Sequence, residues 1–304
     1  MTESCTDHAQ RLAPAAQVYK GSVSRPERWA RFDPRPGDVI ICSPPKCGTT
    51  WLQTIVSMLI AGVPAVTEQL SVVSPWVDAV FTTDEMLDAL KSRPGRRVLK
   101  THTPVDGFPA WSGVTILAIF RHPLDVFLSL RDHVANLRDA EAHPIGGEVS
   151  AAFDHFLYGS FHPDRVDERS LGSLVQHYQA ATSGHQPLLG LVHYADLIHN
   201  PSAALARLAK ILGVDCDTST LEQIKAATTF DAMKANATRL TPMSGTLHWR
   251  DDAAFFSSGG IRRRAEILSY EQIHAYHTRL AALVPDIAQR RWLQDGESPP
   301  STKI

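Results

Sequence analysis

Residues 39–62 read VIICSPPKCGTTWLQTIVSMLIAG. An apolar, β-branched run from Val39 to Cys42 is followed by two prolines, a Lys-Cys-Gly-Thr-Thr turn and a stretch with helical spacing. A buried strand entering a helix through a glycine-containing turn is the opening half of a βαβ unit. The same alternation recurs outward from it. DVIICS is followed by a helix from about Thr49, then RVLKTH, VTILAIFR, a helix from about Pro123, LLGLVHY and a helix from about Pro201. Short β-branched runs alternating with helical periodicities predict an α/β fold, a central, mostly parallel sheet flanked by helices. No repeat or linker interrupts residues 15–293, so a single domain is expected there. Residues 1–14 are polar and residues 294–304 are rich in Pro, Ser and charge, which predicts frayed tails.

A chain of 304 residues with 43% hydrophobic content can bury a sizeable core without disulfide or metal staples. Its formal charge of −2, with both signs interspersed, provides no long-range field for nucleic acid, so an anionic ligand has to be held by a local cluster. Cys5, Cys42, Cys47 and Cys216 contain no C-x-x-C pair and fit a reduced, cytoplasmic protein. MTESCTDHAQ has neither a basic n-region nor an apolar h-region, so secretion is not indicated. No segment reaches the roughly 20 apolar residues of a membrane span; the nearest, Thr54 to Val66, is broken by Gly62 and Pro64. At most a peripheral membrane contact is expected. The sequence carries no heptad repeat.

In parallel α/β sheets ligands bind beyond the carboxyl ends of the strands. Three of those ends are cationic here: Pro45-Lys46-Cys47-Gly48-Thr49-Thr50, Lys100-Thr101-His102 and Arg121-His122-Pro123. The first can form an oxyanion cradle, with backbone N–H groups and the positive helix end aimed at one spot, Gly48 permitting close approach, Thr49 and Thr50 adding hydroxyls and Lys46 a charge. It is not a Walker A loop, in which Lys follows the last Gly, because Lys46 precedes Gly48. Arg121 stands where a guanidinium fork can grip a phosphate, with Ser129 two turns into the next helix, although Pro123 and Asp125 are also plain helix-start residues. His102 beside Lys100 is a candidate general base. The histidines have no metal-ligand spacing, so no metal is expected.

These segments resemble the PAPS-dependent sulfotransferases of the soluble cytosolic type, in bacterial-like form. Pro45-Lys46-Cys47-Gly48-Thr49-Thr50-Trp51 is similar to the 5′-phosphosulfate loop P-K-[SA]-G-T-T-W. Lys100-Thr101-His102 is similar to the motif whose His is the catalytic base, and Phe120-Arg121-His122-Pro123-Leu124-Asp125-Val126 with Ser129 to the 3′-phosphate motif. His193-Tyr194-Ala195-Asp196-Leu197 and Thr228-Thr229-Phe230-Asp231-Ala232-Met233-Lys234 resemble two further family segments. The last family motif, R-K-G-x-x-G-x-W-K, is changed to Ser257-Ser258-Gly259-Gly260-Ile261-Arg262-Arg263-Arg264-Ala265. Gly259 is kept, and the expectation is that Arg262, Arg263 or Arg264 replaces the missing Arg-Lys pair; a solvated basic turn before a helix over Ala265–Leu280 is the competing reading.

The resemblance implies the donor 3′-phosphoadenosine 5′-phosphosulfate (PAPS), the product PAP and no metal requirement. It gives His102 as base, Lys46 on the leaving oxygen, Lys100 on the sulfuryl oxygens, Arg121 and Ser129 on the 3′-phosphate, Trp51, Thr228 and Phe230 at adenine, and Tyr194 as a further cofactor-binding residue. The expected partner is a small-molecule or lipid-linked hydroxyl acceptor. Ser129-Leu130-Arg131-Asp132-His133 looks like bacterial members regarded as acting on glycolipids. Trp76, Phe81, Phe108, Phe153, Phe156 and Tyr158 are candidates to roof its pocket, or ordinary core. Cys47, at a helix start, is either an oxidisable thiol or a small buried residue. A nucleotide-dependent kinase and a non-catalytic nucleotide-binding protein are the alternatives. A kinase would need Mg²⁺-holding Asp residues that the three strand ends lack, and loss of Lys46 or His102 would mark the non-catalytic case.

Overall fold

The computed structural model describes residues 8–139, 143–246, 248–257 and 266–296. Its strands are β1 (Arg11–Ala13), β2 (Val39–Cys42), β3 (Val98–Thr101), β4 (Ala110–Trp111), β5 (Thr115–Phe120) and β6 (Leu189–His193). Four of them make an all-parallel sheet in the order β3-β2-β5-β6. The crossovers and flanks are helical: α1 (Thr49–Ala61), α2 (Leu70–Val73), α3 (Asp84–Ser92), α4 (Pro123–Asn136), α5 (Val149–Tyr158), α6 (Leu171–Thr182), α7 (Tyr194–His199) and α8 (Pro201–Leu212). They continue with α9 (Thr218–Ala227), α10 (Phe230–Ala235), α11 (Ala237–Leu240), α12 (Tyr270–Leu283) and α13 (Ile287–Asp295).

The strand period of two divides the core. Val39, Ile41, Leu117 and Ile119 face one layer with Leu52, Ile55, Leu205 and Leu208 of α1 and α8, whereas Ile40, Ala118, Phe120 and Leu191 face the other with Phe127 of α4, Phe153 of α5 and Tyr178 of α6. A sheet covered on both faces accounts for strands that read as continuous apolar runs rather than as alternations. Among the described residues no helix is long and apolar enough to cross a membrane.

Three boundaries differ from the sequence reading. Residues 8–14 are ordered: Arg11–Ala13 pair antiparallel with Ala110–Trp111, and the N–H of buried Ala9 donates to the Pro34 carbonyl at 3.0 Å. Polar composition hid a strand only three residues long, while residues 1–7 lie outside the described residues. At the other end α13 runs two residues beyond 293, because Trp292 and Leu293 are buried and Gly296, at φ 83°, closes the helix. The expected helix over Ala265–Leu280 begins instead at Tyr270, where Ser269 and Gln272 form a capping box.

Beneath the amino ends of β2 and β3 the sheet is tied by an ion pair that is 1% exposed on either side. Arg97 Nε and Nη2 donate to Asp38 Oδ1 and Oδ2 at 2.8 and 2.5 Å, and its remaining N–H groups donate to the Leu90 and Asp33 carbonyls. Removing one member strands a buried charge. Arg97→Ala is therefore expected to lower the unfolding free energy by about 3–5 kcal/mol, read as a shift in the denaturation midpoint. A shift equivalent to less than about 1 kcal/mol, the range of exposed pairs, would refute this reading.

Candidate active site

Because β3, β2 and β5 are neighbours, the three cationic strand ends converge on one cavity of about 690 Å³. Lys46, Lys100, His102, Arg121 and Ser129 all line it.

The turn after β2 is built by its backbone. Lys46 has φ 66° and Gly48 φ 105°, so the chain reverses in left-handed conformations before α1. A Cβ on Gly48 would lie 2.8 Å from the Tyr194 ring, so only glycine lets α7 pack against the turn. Ser43 Oγ and Thr49 Oγ1, 2.6 Å apart, tie the strand end to the helix start. Gly48 is the N-cap and provides no capping side chain, which leaves the first-turn N–H groups of α1 to an external acceptor. Thr49 and Thr50 line the cavity beside them. Cys47 does not line it: the thiol is fully buried, and burial pushes its pKa up to about 12, which removes thiolate chemistry.

Positive charge crowds the site. Burial, then Arg121 and Lys100, pull the Lys46 ammonium down to about 7. Burial, opposed by Asp78, brings Lys100 to about 8. Both ammonium groups rest on aromatic faces, Lys46 4.3 Å from the Phe255 centroid and Lys100 4.2 Å from that of Trp76, and the Arg121 guanidinium lies 4.2 Å from the Tyr194 centroid.

His102 is buried, and its protonation is suppressed first by burial and then by Lys100. Its Nδ1–H donates to the Ser43 carbonyl at 2.7 Å, which places the lone pair of the neutral ring on Nε2. The ring is able to accept a proton there. A buried carboxylate fixes its surroundings: Asp78 accepts from Trp29, Trp76, Thr101 and Thr103. Trp76 then meets the His102 ring edge to face at 4.7 Å.

On the opposite side Trp51 stands edge-on to Tyr194 at 5.1 Å, and Thr228 and Phe230 line the same cavity wall. The Trp51 indole N–H is buried without a hydrogen-bond partner among the described residues. Trp76 and Phe81 line the cavity as expected of an acceptor roof, but Phe108, Phe153 and Phe156 are core residues and Tyr158 is exposed on the surface. In α5 helix periodicity explains this, the inward Phe153 and Phe156 packing against Phe127 and leaving Tyr158 outside, whereas Phe108 stacks on Trp29 and Trp111. Of the altered last motif, Ser257 lines the cavity, while Ser258, Gly259, Arg262, Arg263 and Arg264 lie outside the described residues.

Sequence reasoning missed His133, Asp78, Arg169 and Trp249. The Lys46 ammonium donates to His133 Nδ1 at 3.3 Å, and His133 packs on Trp249 and Phe255. The signal for His133 was its place one helical turn after Ser129, hence on the same face of α4. Asp78 is marked locally only by Trp76 two residues before it; its other partners, Trp29, Thr101 and Thr103, come from distant segments.

The Sulfotransferase domain family model matches residues 36–286. A glycolipid sulfotransferase of Mycobacterium bovis is 28% identical over 298 residues, covering 88% of this chain and 91% of its own length. Sulfotransferase 1B1 of Mus musculus is 28% identical over 222 residues, covering 69% of this chain and 70% of its own. Mouse sulfotransferase SULT7A1 complexed with PAP has a TM-score of 0.68 at 19% identity, with 89% and 91% of the two chains covered. A retinol dehydratase in complex with androsterone and PAP reaches 0.63 at 17% identity, with 84% and 83% covered. The two solved structures share the parallel α/β fold.

Proposed function

The chain belongs to the sulfotransferase domain family, and from that premise we propose that it moves the sulfuryl group of PAPS to the hydroxyl of a small hydrophobic or glycolipid-type acceptor. One observation carries the proposal: the cationic ends of three adjacent strands and a neutral His102 with its lone pair on Nε2 line a single cavity. The glycolipid sulfotransferase similarity and the Trp76–Phe81 wall support the acceptor class.

In this reading His102 Nε2 takes the acceptor hydroxyl proton as the oxygen forms its bond to sulfur. Lys46 and the first-turn N–H groups of α1 receive the charge that grows on the bridging oxygen as its bond to sulfur breaks, and Lys100 faces the sulfuryl oxygens. Arg121 and Ser129 hold the 3′-phosphate, and Trp51, Thr228 and Phe230 hold adenine. Such positioning and charge placement supply most of the rate in transfers of this type.

Calorimetric titration with PAP and, separately, with ADP plus Mg²⁺ tests the assignment. Tight binding of PAP is expected; a preference for Mg-ADP would overturn it in favour of a kinase-like cradle. The same titration has a pH signature. Lys46 and Lys100 have lowered values in the free protein, and a bound anion raises them, so affinity is full below about pH 7 and falls as pH rises through about 7 to 8. Above pH 7, where phosphate is ionised, PAP binding is expected to take up protons, in an amount growing towards pH 8.5. Titration in two buffers of different ionisation enthalpy reads this number. Proton release over that range would contradict the assignment of the two lysines.

A further inference from the structure

Ser22, Val23, Asp167, Arg169, His143 and His248 line the same cavity, and the Arg169 charge is felt at His143 and His248 as well as at Lys46. Arg169 is anomalous there. The residue is only part-buried and lines the cavity, yet its Nη1 is enclosed and has no hydrogen-bond partner among the described residues. A buried guanidinium nitrogen without an acceptor is costly, and such groups are ordinarily paired.

The nearest candidate counter-ion is already committed. Asp167 accepts from the Val23 and Ser24 N–H groups, at 2.8 Å each, and from Ser24 Oγ at 2.7 Å. It attracts Arg169 only through space, against a larger effect of burial. The segment is pinned on its other side: Ser170, next to Arg169, caps α6 by accepting from the Ser173 N–H at 3.2 Å.

The surroundings are histidines held neutral. Burial first, then Arg169, keep His143 down at about 4. His143 Nδ1 accepts from the Ile145 N–H at 3.2 Å, which leaves Nε2–H as a donor. His133 is depressed by burial, Lys46 and Arg169; His248 by burial and Arg169, with Asp139 opposing. The wall thus offers one guanidinium, neutral imidazoles and the Asp167 carboxylate, whose oxygens are taken up by Val23 and Ser24.

Resting on the sulfuryl-transfer reading above, we propose that Arg169 is the anchor of an anion subsite in the acceptor half of the cavity. The acceptor then has an apolar body, lying along Trp76, Phe81 and Met243, and an acidic group (carboxylate, phosphate or sulfate) remote from the hydroxyl that is sulfated. Arg169 is a specificity residue, one whose charge reaches Lys46 without a role in the transfer itself.

The test is equilibrium binding in saturating PAP of two probes that differ only in charge, 4-hydroxyphenylacetate and its methyl ester. The protein is expected to favour the carboxylate by about 10–100-fold, the worth of one charge-assisted hydrogen bond. At about pH 6, where Lys46 is protonated with or without Arg169, Arg169→Gln abolishes the preference, Arg169→Lys keeps part of it, and PAP affinity stays unchanged in both. Equal binding of the two probes, no measurable gain from the carboxylate, or equal loss of both probes in Arg169→Gln would overturn the subsite. Weakened PAP binding in that variant would assign Arg169 to the nucleotide instead. Repeating the titrations without nucleotide separates the two readings, because failure of the native chain to bind PAP refutes the donor assignment and leaves the carboxylate preference measurable.

Discussion

His102→Ala is expected to lower kcat by about 10²–10⁴ while PAP binds as before, the usual contribution of a positioned general base. The two halves of the expectation have separate structural origins. Nε2 carries the lone pair because Nδ1–H is engaged by the Ser43 carbonyl, and burial with Lys100 keeps the ring neutral. The nucleotide contacts proposed above are the side chains of Lys46, Trp51, Arg121, Ser129, Thr228 and Phe230 and the first-turn N–H groups of α1, and the His102 side chain touches their framework only through its hydrogen bond to the Ser43 carbonyl ahead of the turn. The same geometry fixes the pH response. A histidine lowered by burial and Lys100 in the free protein is expected to put the acid limb of kcat/KM for the native chain below the ordinary histidine range near 6.5. A variant that retains near-native turnover would send the base role to another group. A variant that loses PAP affinity equally would make His102 structural. His102→Gln separates these cases further, since an amide can donate to Ser43 and fill the space under Trp76 yet cannot accept the proton at neutral pH.

Much of this arrangement was legible because its signals are local. The run from Val39 to Gly62 contains strand, left-handed turn and helix within one short segment, and β-branched runs at RVLKTH, VTILAIFR and LLGLVHY declare the remaining parallel strands. Strand ends then place Lys46, Lys100, His102 and Arg121 on the same edge without any knowledge of side-chain packing. What the sequence withheld is relational. The strand Arg11–Ala13 exists only because Ala110–Trp111 lies beside it. Asp78 is an unremarkable acidic residue until Trp29, Trp76, Thr101 and Thr103 converge on it. Phe108, Phe153 and Phe156 share the composition of a pocket roof, and only the packing against Trp29 and Phe127 shows them to be core. Arg169 is one of many arginines in a loop, and its enclosure depends on where α5 and α6 turn.

Lys46→Met is expected to reduce kcat by about 10²–10³, the effect of removing one preorganised donor from a site of developing negative charge. Methionine has nearly the length of the lysine stem and can set its thioether against the Phe255 ring where the ammonium lay, so the loss reports the charge rather than a cavity. In the resting protein the ammonium is crowded by Arg121 and Lys100 and donates to His133 Nδ1. Growing negative charge on the leaving oxygen relieves that crowding, so the lysine contributes more in the transition state than in the free protein, which is the condition for catalysis rather than mere binding. Lys46→Arg is expected not to restore activity, because a planar fork replaces a compact point charge beside His133 and Phe255. Single-turnover measurement of sulfuryl transfer from labelled PAPS decides the matter. A Lys46→Met variant that transfers at the native rate but binds PAP weakly would move Lys46 from the chemical step to ground-state binding.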